Sequence, residues 1–334
     1  MKIIMIVYFI LLLQAHEAKK TSRQTMMRIP IIQDGFKVLS ERYSIISWDQ
    51  FGVLHDGARP LCESVAVLRE LDRMGVKQVV CSNTSKRAAK AHQIFSSKIG
   101  LPDVIPITSF MTSGEAAWQY LNKKSDFRGK KVLWFTWKDW EDDKFVDDLG
   151  MSVTSDVEEA DLLLFHGSQT IACEESGVVR IELFKQGTEA VQSGIIQQIL
   201  RRAAERDLPS VCANMDYSAI THTGAKAWMP GILVDAYEEL GGKCEKFGKP
   251  FPDHFTAAVD SLEPSIDTQR VLHVGDSLHH DITGANSAGF DSCLITDTGV
   301  HRGDLEGCEI EAVCELAEKY NVPRPTYIMD SVRW

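Results

Sequence analysis

The feature that most constrains this chain is an isoleucine-rich run, residues 43–48, that stops at Asp49. A run this short predicts a buried strand with a carboxylate at its C-terminal tip. The residues beyond Asp49 repeat a recognisable unit. Leu61, Val65, Leu68 and Leu71 keep helical spacing, and Gly75 closes that helix. Residues 76–81 form the next apolar run, and Ser82-Asn83-Thr84-Ser85 predicts the N-cap of another helix. Strand, helix, strand in this order predicts an α/β fold with a parallel sheet covered by helices.

The same alternation resumes late in the chain. Helices are expected over 232–240 (before Gly241-Gly242), 255–262, 285–288 (before Gly289) and 310–319, and strands over 271–274 (before Gly275-Asp276) and 291–295. The middle differs. Strands at 131–136, 161–166 and 210–214, separated by helices at 181–184 and 194–205, predict a second α/β unit inserted into the first. The expected organisation is a leader and linker over 1–37, a core made of 38–110 and 232–334, and an inserted unit over 111–231. With 334 residues, two units agree with the usual size of about 150 residues per domain.

Charge narrows the partners. The chain has 36 Lys+Arg against 47 Asp+Glu, a net −11. That excludes a broad basic face for nucleic acid. It leaves room for a local phosphate pocket built from backbone N–H groups and one lysine. The eight cysteines include no CxxC pair, which argues against a zinc site. Cys81 and Cys212 sit in apolar runs and read as small buried hydrophobes. At the N-terminus, Lys2 precedes an apolar run over 3–13. The run is shorter than the about 20 residues of a stable membrane span, and fits the apolar region of a signal or targeting segment within 1–18. Ala15 and Ala18 are candidate cleavage positions, and a start at Met26 or Met27 would instead give a cytoplasmic chain. The one Asn-x-Ser/Thr acceptor, Asn83-Thr84-Ser85, falls in a reactive loop where a glycan would block the site.

Reactive groups are expected at the C-terminal ends of parallel strands, where open α/β sheets bind ligands. They are Asp49, Ser82 and Asp276, with Asp281 five residues on and Lys249 in a Gly-Lys-Pro turn. Two carboxylates beside a phosphate pocket suit Mg²⁺. A strand-tip aspartate can act as a nucleophile, a serine and backbone N–H groups can hold phosphate, and a lysine can neutralise the transferring group. Each piece alone is ordinary: a turn aspartate, an N-cap serine, a surface Gly-Lys-Pro. Their order is not.

In that order the motifs resemble those of the haloacid dehalogenase superfamily: Asp49-Gln50-Phe51-Gly52-Val53-Leu54, Val79-Val80-Cys81-Ser82-Asn83, Gly248-Lys249-Pro250, and Val274-Gly275-Asp276-Ser277 with Asp281. The resemblance covers about residues 40–300. The insert is similar to the α/β cap of class IIA, which contains nitrophenyl-phosphatase-like and sugar-phosphate phosphatases. Thr112-Ser113-Gly114, Gly167 and Ala213-Asn214-Met215-Asp216 fit it. The resemblance implies a Rossmann-like core and a Mg²⁺-dependent phosphohydrolase. Asp49 would be nucleophile and metal ligand, Ser82 and the Asn83 N–H would bind phosphate, and Lys249 would stabilise the phosphoryl group. Asp276 and the Phe51 carbonyl would ligate metal, and Asp281 would complete the metal set or orient a metal-bound water or Lys249. Asn214 and Asp216 would contact the leaving group from the cap. The expected ligand is a small phosphorylated metabolite; a homodimer through the cap is one arrangement open to it.

One position departs from the pattern. The family's phosphatases carry a second aspartate two residues after the nucleophile, which protonates the leaving group and then activates water. Here that residue is Phe51. General acid–base catalysis contributes typically about 10²–10⁴-fold. Four readings are open: a phosphatase that is slow or confined to good leaving groups; one with a substitute acid, His55 being the nearest titratable residue; dehalogenase-like chemistry, in which an aromatic residue is usual here; or a phosphate-ligand-binding protein without turnover. His55 also reads as a solvated loop residue. Lesser features have plain readings: Arg302-Gly303-Asp304 as a chance tripeptide, His279-His280 as a solvated helix start, and Trp134, Trp137 and Trp140, beside the acidic 141–143, as an edge of the insert.

Overall fold

A computed structural model describes residues 31–334 apart from 33, 140–143, 174–176, 182, 193, 222 and 306–309. The leader with its cleavage and start positions, Trp140 with the acidic 141–143, and Cys308 lie outside the described residues.

The chain builds one sheet, leaves it, builds a second, and returns. Strands β1 (Ile45–Trp48), β2 (Lys77–Ser82) and β3 (Phe110–Thr112) open the first sheet. The second contains β4 (Lys131–Thr136), β5 (Ser152–Val153), β6 (Leu162–Phe165), β7 (Thr170–Cys173), β8 (Gly177–Arg180) and β9 (Ser210–Cys212). A hairpin of β10 (Ser218–Ile220) and β11 (Lys226–Trp228) comes next, and β12 (Cys244–Lys246) rejoins the second sheet. Then β13 (Val271–Gly275), β14 (Asp291–Ile295) and β15 (Tyr327–Met329) complete the first. The first sheet runs β15-β14-β13-β1-β2-β3, all parallel. The second runs β12-β9-β6-β4-β7-β8, with β5 also on β4; its β7 and β8 are antiparallel.

Both sheets are covered on two faces, as strands without polar alternation require. Ile46, Trp48, Val80 and Val274 face one core of the first sheet, while Ile45, Val79, Cys81 and Val271 face another. In the second sheet Leu133, Phe135 and Leu163 face one side and Val132, Trp134 and Leu162 the other. The seven described cysteines are free, with Cys81 and Cys212 fully buried. No helix among the described residues is long and apolar enough to cross a membrane.

Two expectations are corrected. Residues 232–246, expected in the core, belong with the second sheet. The Gly231–Glu239 helix buries Ile232, Leu233, Val234 and Tyr237 in that sheet's core, and β12 pairs in parallel with β9. The return therefore falls near residue 247. Amphipathic spacing marks a buried face but not the sheet it is buried against. Ser82 is the last residue of β2 and caps no helix; the next helix, Ala88–Gln93, has Arg87 at its N-cap. Residues 83–87 are a loop at the strand tips, tied where Ser113 Oγ donates to Thr84 O (3.1 Å) and Thr112 Oγ1 to Lys86 O (2.8 Å).

Candidate active site

Asp49 comes directly after β1, and its N–H donates to Val274 O of the neighbouring β13 (2.8 Å). This fixes the carboxylate at the carboxyl end of the sheet. Lys249 lies in the loop after β12. Its ammonium donates to Asp49 Oδ1 (2.5 Å) and to Asp281 Oδ1 (2.7 Å). Asp281 Oδ1 also meets His273 Nε2 (2.9 Å), and Asp281 Oδ2 accepts from the N–H groups of Asp276 (3.1 Å) and Ser277 (3.0 Å). A carboxylate offers about four acceptor sites, so Asp281 is fully engaged. Burial lowers the pKa of His273 against the pull of Asp281, and because a carboxylate only accepts, Nε2 is the nitrogen that donates to it, with Nδ1 3.0 Å from Ser47 Oγ.

Glycine is required at two points. A Cβ at Gly275 would lie 2.1 Å from Asp281 Cγ. Gly52 has φ +84°, and a Cβ there would lie 2.3 Å from Asp276 Oδ2. That oxygen accepts from Val300 N (2.9 Å).

The electrostatics are those of a crowded anionic floor. Burial pushes the Asp49 carboxyl up to about 7, against the pull of Lys249. Burial, then the charges of Asp49 and Asp281, raise Asp276 well above the carboxylate range. Burial would raise Asp281 too, but Lys249 and the His273 hydrogen bond outweigh it and hold it below that range. Burial would lower Lys249, but Asp281 and Asp49 keep it firmly charged. Three carboxylates thus share one cation. Oxygens of Asp49, Asp276 and Asp281 lie within 4.8 Å of one another, with no His or Cys in the group. An all-oxygen set short of positive charge fits a hard divalent cation such as Mg²⁺. With Asp281 spent on four donors, Asp49 and Asp276 are the carboxylates with room for it.

Beside this floor, Ser82 and Asn83 are buried. Asn83 Oδ1 accepts from Lys249 N (2.6 Å), and Nδ2 donates to Lys249 O (3.1 Å) and Asp216 Oδ1 (2.8 Å). Its side chain is committed, which leaves no place for a glycan in the folded chain. Asp216 comes from the loop after β9, where its N–H donates to Asn214 Oδ1 (3.0 Å). Ser113 Oγ, at the exit from the first sheet, donates to Ala213 O of the same loop (2.7 Å).

Ser82, Asn83, Asn214 and Asp216 line a cavity of about 520 Å³, within the usual range for a small-molecule site. Asp49, Phe51, Ser82, Lys249 and Asp276 line it from the first sheet, and Trp137, Asn214, Asp216, Tyr217 and Lys226 from the second-sheet region.

The expected substitute acid, His55, is not on the cavity wall. It is buried, its Nδ1 accepts from Gly57 N (3.0 Å), and its ring stands edge-on to Phe51 (5.9 Å). Burial pushes its pKa down to about 4. Loop proximity to Asp49 was the signal for it, and the loop turns the ring behind Phe51. His280 is also corrected. It is buried, and its Nε2 meets Met215 O (3.1 Å), joining the two regions. Trp137 lines the cavity, and its Nε1 donates to Ser85 Oγ (2.9 Å). Sequence reasoning missed His273, Tyr217, His301 and Tyr320 on or under the wall. Only His273, a polar residue inside an apolar strand, carried a signal.

Comparison with known proteins agrees with this geometry. Residues 111–289, more than half of the chain, match a family model described as haloacid dehalogenase-like hydrolase. Residues 46–152 and 246–334 match two further models of the same kind. The chain belongs to the haloacid dehalogenase-like hydrolases, as its motif order implied. No curated protein sequence matches it. Among solved structures it is similar to a haloacid dehalogenase-like hydrolase from Brucella suis 1330 (TM-score 0.69, 22% identity, 91% of this chain and 100% of that one). It is also similar to a p-nitrophenyl phosphatase from Archaeoglobus fulgidus (0.60, 20%, 87% and 97%). A third is a glycerol phosphate phosphatase from Mycobacterium tuberculosis in complex with calcium (0.54, 20%, 88% and 73%). At these identities the likeness is one of fold.

Proposed function

We propose that this chain is a Mg²⁺-dependent hydrolase of small phosphate monoesters that works through an aspartyl-phosphate on Asp49. The observation that carries this is the Lys249 ammonium shared between Asp49 and Asp281 at the sheet's carboxyl end. The phosphatases among the solved neighbours support it, one of them holding a divalent ion. Mg²⁺ held by Asp49 and Asp276, with the Phe51 carbonyl, would neutralise charge on the phosphate oxygens. The Ser82 hydroxyl and the Asn83 N–H hold those oxygens, and Lys249 offsets the charge that develops as the ester bond breaks. Asp49 attacks phosphorus, the ester P–O bond breaks, and the electron pair leaves on the departing oxygen. His273 and Asp281 keep the Lys249 ammonium in place. Phe51 gives the departing oxygen an apolar ring and no proton, so the first-sheet side supplies no acid for it. The assembled carboxylates and Gly275-Asp276 favour this reading over dehalogenation.

The test is phosphate release by the full chain from an activated aryl phosphate, with Mg²⁺ or with chelator. Release with Mg²⁺, loss on chelation and loss in Asp49→Asn are expected. Mg²⁺ should also raise the melting temperature of the resting protein. No release across a broad ester panel, with phosphorylated ligands still binding in Mg²⁺, would replace turnover by ligand binding.

A further inference from the structure

We infer that Asp216, supplied by the second-sheet region, is the proton donor and acceptor that the first sheet lacks at Phe51; this rests on the phosphatase reading above.

The cavity wall offers few candidates. Asp281 has four donors on it, Asp49 and Asp276 belong to the cation-binding floor, and Lys249 is held charged between two carboxylates. His280 is engaged at Nε2 by Met215 O and at Nδ1 by Ser277 Oγ (3.3 Å), and His301 Nε2 accepts from Leu278 N (3.1 Å). His279 lies against Tyr217 (5.6 Å), and Asp235 is the charge that acts on it. Asp304 lies by His301 (3.8 Å).

Asp216 differs in three respects. The Asn83 amide that holds it is also bonded to the backbone N–H and carbonyl of Lys249, so it stands beside the Lys249 turn on the cavity wall. Its Oδ1 is fixed by Asn83 Nδ2, next to the phosphate-holding Ser82 (2.8 Å). Its Oδ2 has no hydrogen-bond partner among the described residues, and the residue lines the cavity. One oxygen locates the group and the other is available for a proton.

The cycle balances. As the Asp49 oxygen bonds to phosphorus and the ester P–O bond breaks, protonated Asp216 gives its proton to the departing alcohol oxygen. In the second half the Asp216 carboxylate takes a proton from water. The water oxygen bonds to phosphorus, the bond to Asp49 breaks, and Asp216 is protonated again.

Asp216→Asn tests this, since an amide keeps the Asn83 contact but cannot exchange the proton. The full-length chain is given, in Mg²⁺, a series of aryl phosphates whose phenols range from strongly to weakly acidic. Turnover of the poorest leaving groups should fall about 10²–10⁴-fold, and that of the most activated ester much less. With the activated ester the variant, unlike the wild type, should gain the mass of one phosphoryl group, because Asp49 is phosphorylated without a proton donor while hydrolysis lacks its base. Phe51→Asp should restore Asp216→Asn by a larger factor than it raises the wild type. Equal loss on every ester with an unmodified mass would overturn the role of Asp216. A wild type that releases no phosphate overturns the phosphatase reading instead.

Discussion

The two regions that meet at the cavity are built on opposite terms. On the first-sheet side polar atoms are bound to one another: Ser47, His273, Asp281, Lys249 and Asp49 form one buried chain of hydrogen bonds. On the second-sheet side the wall is sparse in such ties. Lys226 is exposed and lies over the Trp228 ring (4.3 Å), and Asp216 keeps one oxygen without a hydrogen-bond partner among the described residues. The contrast teaches that the tightly paired side can fix charge and position but has no proton to trade, whereas the loosely paired side can.

The contrast breaks most visibly at its two lysines. Lys249→Met should lower turnover by about 10²–10³-fold and destabilise the chain by about 3–5 kcal/mol, because it leaves buried carboxylates uncompensated. Lys226→Met should cost about 1 kcal/mol or less. Steady-state kinetics and urea unfolding of both variants check this; comparable losses would erase the distinction.

His55 sharpens the comparison through pH. Its folded pKa of about 4 lies below the ordinary 6.5, because burial opposes the charged ring. As pH falls below about 6.5 the unfolded chain takes up this proton first, so stability is lost between there and about 4. At pH ~5 the loss from His55 alone is about 2 kcal/mol. His55→Asn, which keeps an acceptor for Gly57 N–H, should remove that share of the acid sensitivity. Denaturation midpoints at pH ~7 and ~5 measure it, and an unchanged difference would place His55 in contact with water.

The smallest effect concerns Phe51. Phe51→Asp alone should speed hydrolysis of poor leaving groups by about tenfold, about 1.4 kcal/mol, and leave activated esters nearly unchanged. An equal gain on both would mean that Phe51 limits a step other than proton transfer.

Motif order named residues on both sides of the cavity, Asp49, Ser82, Lys249, Asp276 and Asp281 on its floor and Asn214 and Asp216 on its wall, and the structure brings them to one cavity, while most of the remaining wall was not legible for a physical reason. Asp49, Ser82 and Asp276 sit at strand tips, Lys249 in a loop and Asp281 in the helical turn Leu278–Ile282 just beyond β13, and a parallel sheet brings its strand tips together whatever the loops do. His55 failed because a residue six positions from Asp49 can face either side of a tight loop. Trp137 and His280 read as surface because their chain neighbours are polar, yet each is covered by the other region, at Ser85 and Met215. The 232–246 segment carried its burial in its spacing but nothing to name its partner sheet. Phe51 alone was legible as an exception, and the group that answers it lies 165 residues away.

The bond between Lys249 and Asp49 spans 200 residues of chain. During synthesis the aspartate leaves the ribosome first, and its counter-ion is translated about 10–40 s later at ordinary elongation rates. Through that interval β1 also lacks β13, its neighbour on one side. The nascent chain must therefore carry an unneutralised carboxylate on a half-made sheet, and closure waits until the whole second sheet has been translated.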